Sequence, residues 1–230
     1  MAQHIIPGTP PVTVALRRSG RARRISLRVS RLDGKVTLTI PNGVSEREAM
    51  DFATEKQDWL RKQVARQPDV VTVTLGAEVP VAGCARLIVP GASRSVQLGS
   101  GELAVPGKPE HVGRKVQGYL KELARHRLAE AVDHYGVCLG RKPTKLTLRD
   151  TRSRWGSCSS EGALMFSWRL VMASPDVLDY VAAHEVAHLK EMNHSQAFWN
   201  EVTLIHGPYE VQRRWLRTHG QELHRYQFAL

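Results

Sequence analysis

Residues 184–199 read HEVAHLKEMNHSQAFW and hold most of the groups in this chain that could do chemistry together. His184 and His188 are four apart, about 400° around a helix, so both imidazoles leave one face a turn apart. That spacing suits a single tetrahedral zinc with Zn–N distances of about 2.0–2.1 Å. Glu185 is offset by about 100°, where it can reach a water on the metal without binding the metal itself. Such a glutamate acts as general base: it takes a proton from the attacking water and returns it to the leaving amine of a peptide. The chemistry expected of this stretch is therefore metal-assisted hydrolysis.

The third ligand needs a bend in the chain. On a continuous helix His194 would lie about 9 Å beyond His188 and about 240° around, facing the wrong way. The helix is therefore expected to break between Lys190 and His194, with Asn193 taking the left-handed conformation that ends helices. A second helix starts with Ser195 as N-cap and shows Phe198, Trp199, Val202 and Ile205 as its apolar face. His194 is the preferred third ligand, and Glu201, His206 and Glu210 are competing donors. Cys158, in RWGSC, could approach the metal, but its thiolate would tend to close the site. Beside the metal, an oxyanion needs a further donor, for which Arg154, His206 and Tyr209 are the candidates. Asp179 is expected to face a basic neighbour or to orient a ligand histidine. Trp168, Phe198, Trp199 and Trp215 read as core.

These residues need elements to hold them. Ser174-Pro175-Asp176 starts the first helix with a capping oxygen, a proline where no N–H is needed, and an acid facing the dipole. Val177, Leu178, Val181, Ala182, Val186 and Leu189 make that helix largely apolar, so its histidines belong in a pocket. Before it, residues 145–150 and 163–171 read as strands around TRSRWGSCSSEG, and ALMFSWRLV is the expected edge for an extended peptide. Trp155 and Gly156 are expected to shape a tight turn beside the metal helix. Residues 111–137 form a long amphipathic helix ending near Gly136.

The first part of the chain is β-rich. Ile25-Leu27-Val29 and Val36-Leu38-Ile40 alternate across Asp33-Gly34, a strong hairpin signal. Arg17, Arg18, Arg21, Arg23, Arg24, Arg28 and Arg31 cluster on and before the first of these runs, so one strand face should be basic. Ser45 and Glu48 make a capping box for a helix carrying Ala49, Phe52, Trp59 and Leu60. Residues 70–105 alternate in short runs broken by Gly and Pro and read as further strands of a small sheet. A boundary at Gly107–Pro109 divides the chain into a β-rich region with one helix, residues 1–106, and a catalytic domain, residues 107–230.

The order of these elements gives an α+β class, and the totals are those of an ordinary soluble globular protein. The 230 residues are 42% hydrophobic and 24% charged, an ordinary globular balance. No apolar run approaches the roughly 18–20 residues of a membrane span, and no secretory signal is visible, so the cytoplasm is the expected location. Three scattered cysteines argue against a disulfide framework. The net charge of +11 favours polyanionic partners.

RWGSCSSEG followed by DYVAAHEVAHLKEMNHSQAFW resembles the YgjP-like metal-dependent hydrolases, relatives of the SprT and WLM zinc peptidases. RRISLRVS, DGKVTLTIPNG, EKQDWLRKQ and VQRRWLRTHG extend the resemblance over nearly the whole chain. It implies a zincin-like fold, a zinc peptidase activity on peptide or protein substrates, ligands at His184, His188 and His194, and a base at Glu185. A nucleoside triphosphate pyrophosphatase activity of the UTP type is the alternative, although no GxxxxGK[ST] loop is present. A basic nucleic-acid-associated module with a structural zinc, contacting polyanions through its arginine-rich N-terminal region, is the third.

Overall fold

A computed structural model describes residues 3–30, 34–65 and 69–228. The chain divides into two compact units, Met1–Asp69 and Val70–Leu230. In the first, β1 (Gln3–Ile6), β2 (Val12–Arg18), β3 (Ser26–Val29) and β4 (Val36–Ile40) form a sheet in the order β1-β2-β4-β3. The alternation expected of 25–29 and 36–40 produces an antiparallel pair, with Val29 opposite Val36 and Leu27 opposite Leu38. Gly34 has φ +66; Asp33 and Arg31 lie outside the described residues. One sheet face buries Val14, Leu16, Val36, Leu38 and Ile40 with Ala49, Ala53 and Leu60 of two helices. Those helices are α1 (Glu46–Glu55) and α2 (Gln57–Ala65), where one was expected. Ser45 caps α1 through its hydroxyl, which accepts from the Glu48 amide at 3.1 Å. Trp59 remains 44% exposed and is not part of that core.

The basic face forms in part. Arg17 and Arg28 are exposed on the sheet's other face, opposite Thr39 and Thr37 of β4. Arg18 is otherwise engaged: its guanidinium donates to the carbonyls of Asn42 and Val44 at 3.1 and 2.8 Å, tying down the loop before α1.

The second unit contains β5 (Val71–Thr72), β6 (Glu78–Val81), β7 (Cys84–Gly91), β8 (Gln97–Leu98), β9 (Glu102–Pro106), α3 (Val112–Leu139), β10 (Lys145–Arg149), β11 (Gly156–Cys158), β12 (Ala163–Ser167), α4 (Pro175–Ala187), α5 (Gln196–His206), α6 (Glu210–His219) and β13 (Tyr226–Gln227). The boundary expected at Gly107–Pro109 falls inside this unit. Val79, Val81, Ile88, Leu103 and Val105 of the preceding strands share one core with Val116, Leu120 and Leu128 of α3 and with Val181 and Val186 of α4. Composition changes at Gly107, but the apolar face of those strands closes on α3 and α4 beyond it. Four of them make the sheet β6-β7-β9-β8, while β5 pairs with the C-terminal β13. Helix α3 runs past the expected stop at Gly136 to Gly140, which takes the left-handed φ of +68.

The sheet that carries the site has the order β10-β12-β11. Residues 163–171 are therefore not an edge: β12 is central, parallel to β10 and antiparallel to β11. The run also leaves β structure after Ser167, and Trp168–Met172 is a 3-10 turn leading into α4. Within β12 the Leu164 and Phe166 face is buried, and Ala163 and Met165 on the other face are partly buried. Among the described residues, no helix is long and apolar enough to cross a membrane.

Candidate metal centre

Helix α4 is buried along most of its length and ends sooner than its sequence implies. Its last helical residue is Ala187, with His188 as C-cap. The amides of Lys190 and Glu191 both fold back to the Ala187 carbonyl at 3.0 Å. The His188 ring secures the turn, because its Nδ1 lies 2.9 Å from the Glu191 carbonyl oxygen. Asn193 does not take the left-handed conformation expected of it; among the described residues the one non-glycine with positive φ is Ala82. Instead its side-chain oxygen accepts from the Ser195 amide at 3.0 Å, an Asx turn that launches α5. Ser174 and Ser195 occupy N-cap positions without a side-chain capping bond.

The break returns His194 to α4. Its Nε2 stands 3.1 Å from Nε2 of His184, and candidate ligand atoms of His184, His188 and His194 all lie within 4.8 Å of one another. Two nitrogens on one tetrahedral zinc would be about 3.3 Å apart, so the cluster fits such an ion. The tautomers suit it as well. A His188 Nδ1–H donated to the Glu191 carbonyl leaves Nε2 as a lone-pair donor. Burial first, then the charges of His188, His194 and Arg213, push His184 down to about 3. Burial also lowers His188. Neutral imidazoles are the form that binds metal. Phe198 is fully buried and packs on all three rings, with centroids 4.4 Å from His188 and 4.8 Å from His184 and His194.

Glu185 lies beneath β11. It is 6% exposed, and burial pushes its carboxyl up to about 8 against the opposing charge of Arg154. A Cβ added at Gly156 would stand 2.5 Å from Glu185 Oε1 and Cγ. Gly156 is thus a strand residue that leaves room for the carboxyl, rather than part of the tight turn expected from its sequence. Cys158, half-buried, donates to the Ser159 carbonyl at 3.3 Å. Burial and the Glu185 charge raise its thiol to about 11, and among the described residues it is not part of the three-histidine cluster.

Among the described residues the competing donors lie outside the three-histidine cluster, and Glu201 keeps its Oε2 buried and unpartnered. Glu201 pairs with Lys190 at 2.5 Å, and Glu210 accepts the Tyr209 amide at 3.1 Å. The His206 ring lies 5.9 Å from Tyr180 and 6.0 Å from Tyr135, with Nδ1 buried and unpartnered. Of the oxyanion candidates, Arg154 is exposed and its charge reaches Glu185. Tyr209 stacks on Trp199 at 5.0 Å and on Tyr180 at 5.8 Å. Asp179 has the basic neighbours foreseen for it: it lines a cavity of about 450 Å³ with Arg127 and His134. It does not orient a ligand, since His184 Nδ1 is buried without a hydrogen-bond partner.

Trp168 and Phe198 are core. Trp199, expected in the core, is half-exposed beside the site, 5.7 Å from both His184 and His194. Arg213, which no sequence pattern singled out, lies 4.5 Å over its ring. Its position four residues after Tyr209, on the same helix face, was the signal available.

Comparison with known proteins agrees with the motif. The family model described as YgjP-like, metallopeptidase domain, matches residues 23–219. The solved structure of the metallopeptidase zymogen of Pyrococcus abyssi abylysin is 20% identical, with a TM-score of 0.36, over 41% of this chain and 93% of that one. No curated protein matches the chain.

Proposed function

This chain belongs to the YgjP-like metallopeptidase family, and from that premise we propose a zinc-dependent peptidase in which Glu185 is the general base. The observation that carries the reading is the convergence of three imidazoles, two of them nitrogen to nitrogen at 3.1 Å, beside a buried carboxyl. His184, His188 and His194 would hold the zinc, which would supply Lewis acidity to acidify water and polarise a carbonyl. Glu185 takes the proton of the attacking water and hands it to the leaving nitrogen. Arg154 supports this by holding positive charge beside the carboxyl, and is our choice for the group facing the developing oxyanion.

The substrate backbone has a place to dock. In the β11–β12 pair, Trp155 accepts from the Ser167 amide and Ser159 donates to the Ala163 carbonyl. Alternation then turns the backbone groups of Gly156 and Cys158 away from β12. An extended peptide added along β11 would meet them next to Glu185.

Metal analysis and proteolysis test the proposal together. The purified chain is expected to carry about one zinc and to cleave unfolded protein substrates. A chelator should abolish cleavage and added zinc should restore it; a metal-free chain that still cleaves would refute the reading. Gly156→Ala is expected to push the Glu185 carboxyl aside, lowering kcat by roughly tenfold to a hundredfold while zinc content stays unchanged.

A second reading, hydrolysis of nucleoside triphosphates, is favoured by two exposed guanidiniums, Arg154 whose charge reaches Glu185 and Arg213 over Trp199. Pyrophosphate release that disappears in His188→Ala would establish it. In the first unit, Arg17 and Arg28 offer a polyanion contact on the open sheet face. If they bind nucleic acid, replacing both should weaken duplex binding and reduce its salt dependence by about two counterions.

A further inference from the structure

The site is bordered by a cation held in place by aromatic rings. Trp199 lies 5.7 Å from the rings of His184 and His194, and the Arg213 guanidinium lies 4.5 Å over Trp199. Arg213 is therefore no more than about 10 Å from either imidazole. One turn earlier on α6, Tyr209 stacks on Trp199 with an interplanar angle of 19° and on Tyr180 at 10°. This stack joins α6 to α4 and α5 and fixes the direction in which Arg213 leaves its helix.

Among the described residues the guanidinium has no carboxylate partner. Arg213 is exposed. Glu210, the acid one turn before it, is engaged at Oε2 by the Tyr209 amide. A guanidinium stacked on a ring keeps its N–H donors in the plane, available as a fork that matches a carboxylate or phosphate. Stacking also reduces the rotamer freedom lost when such a group binds.

We propose that Arg213 is the anion-docking residue of this site, so that the substrate carries a carboxylate or phosphate within about 10 Å of its reacting centre. This rests on the metal-centre reading above and narrows its substrate class. Arg214 and Arg217 share the helix, but among the described residues the Arg213 guanidinium is the one over Trp199.

The test uses the zinc-loaded full chain and three hydroxamates, alike except for a terminal amide, carboxylate or phosphonate, with binding followed by calorimetry. The wild-type chain is expected to bind one of the charged probes about tenfold more tightly than the amide, the scale of a charge-assisted hydrogen bond. Arg213→Gln should bring the probes to parity while leaving amide-probe affinity and zinc content unchanged, and Arg213→Lys should restore part of the preference. The carboxylate probe winning points to an acidic peptide; the phosphonate probe winning points to a phosphorylated or nucleotide substrate. A preference that survives Arg213→Gln, or its absence from the wild-type chain, overturns the proposal. Failure of the amide probe to bind the zinc-loaded chain would instead remove the metal-centre reading, and this inference with it.

Discussion

Glu185→Gln is expected to lower kcat by about 10²–10⁴-fold, the span of general acid–base catalysis, while the chain keeps its zinc. The carboxyl is nearly enclosed, and burial raises it to about 8, which makes its ionised form a stronger proton acceptor than an ordinary carboxylate. Glutamine has the same shape, so it fills the space above Gly156 and leaves α4 and its histidines where they are. What it lacks is a site for the water's proton. Steady-state kinetics beside metal analysis on the same preparation separate the two effects. Undiminished turnover with zinc retained would remove Glu185 from the mechanism.

Arg169→Ala should destabilise the fold by about 3 kcal/mol, toward the low end for breaking a buried ion pair, because the Asp150 side chain is 42% exposed. Arg169 is 8% exposed and grips Asp150 with two nitrogens, at 2.7 and 3.2 Å. A third nitrogen donates to the Leu223 and Tyr226 carbonyls at 2.8 and 3.2 Å. Its guanidinium also lies 4.7 Å over Trp168 and 5.5 Å over Phe228. One side chain thus joins the end of β10, the turn entering α4 and the C-terminal segment. Truncation leaves the two carbonyls and a carboxylate without this partner. Lysine keeps the charge but not the fork, so Arg169→Lys should recover only part of the loss. Urea unfolding with an unchanged m-value would measure it; a change within about 0.5 kcal/mol would place the residue among ordinary surface positions.

The expectations that held rest on short-range periodicity. Val36 to Ile40 alternates and forms a strand, Ser45 caps α1, and His184 and His188 share a helix face. The expectations that failed each needed a partner distant in sequence. ALMFSWRLV looks the same whether it lies at an edge or at the centre, and only pairing with both β10 and β11 makes it central. Residues 70–105 read as strands correctly, yet their core is supplied by α3 and α4, far along the chain. Arg169 was unremarkable because its partners lie 19 to 57 residues away.

The sequence by itself determined the α+β class, the identity and spacing of the three imidazoles, the adjacent carboxylate and the need for a break before His194. Strand alternation and helix periodicity fix the class, and helical geometry fixes the rest from local spacing. The tertiary structure decided how the chain breaks, by folding the Glu191 carbonyl onto His188 rather than turning at Asn193. It also decided that Gly156 leaves room for Glu185, and that Trp199, packed at the core's margin, carries Arg213. These are contacts between separate elements, and their energies depend on which surfaces meet.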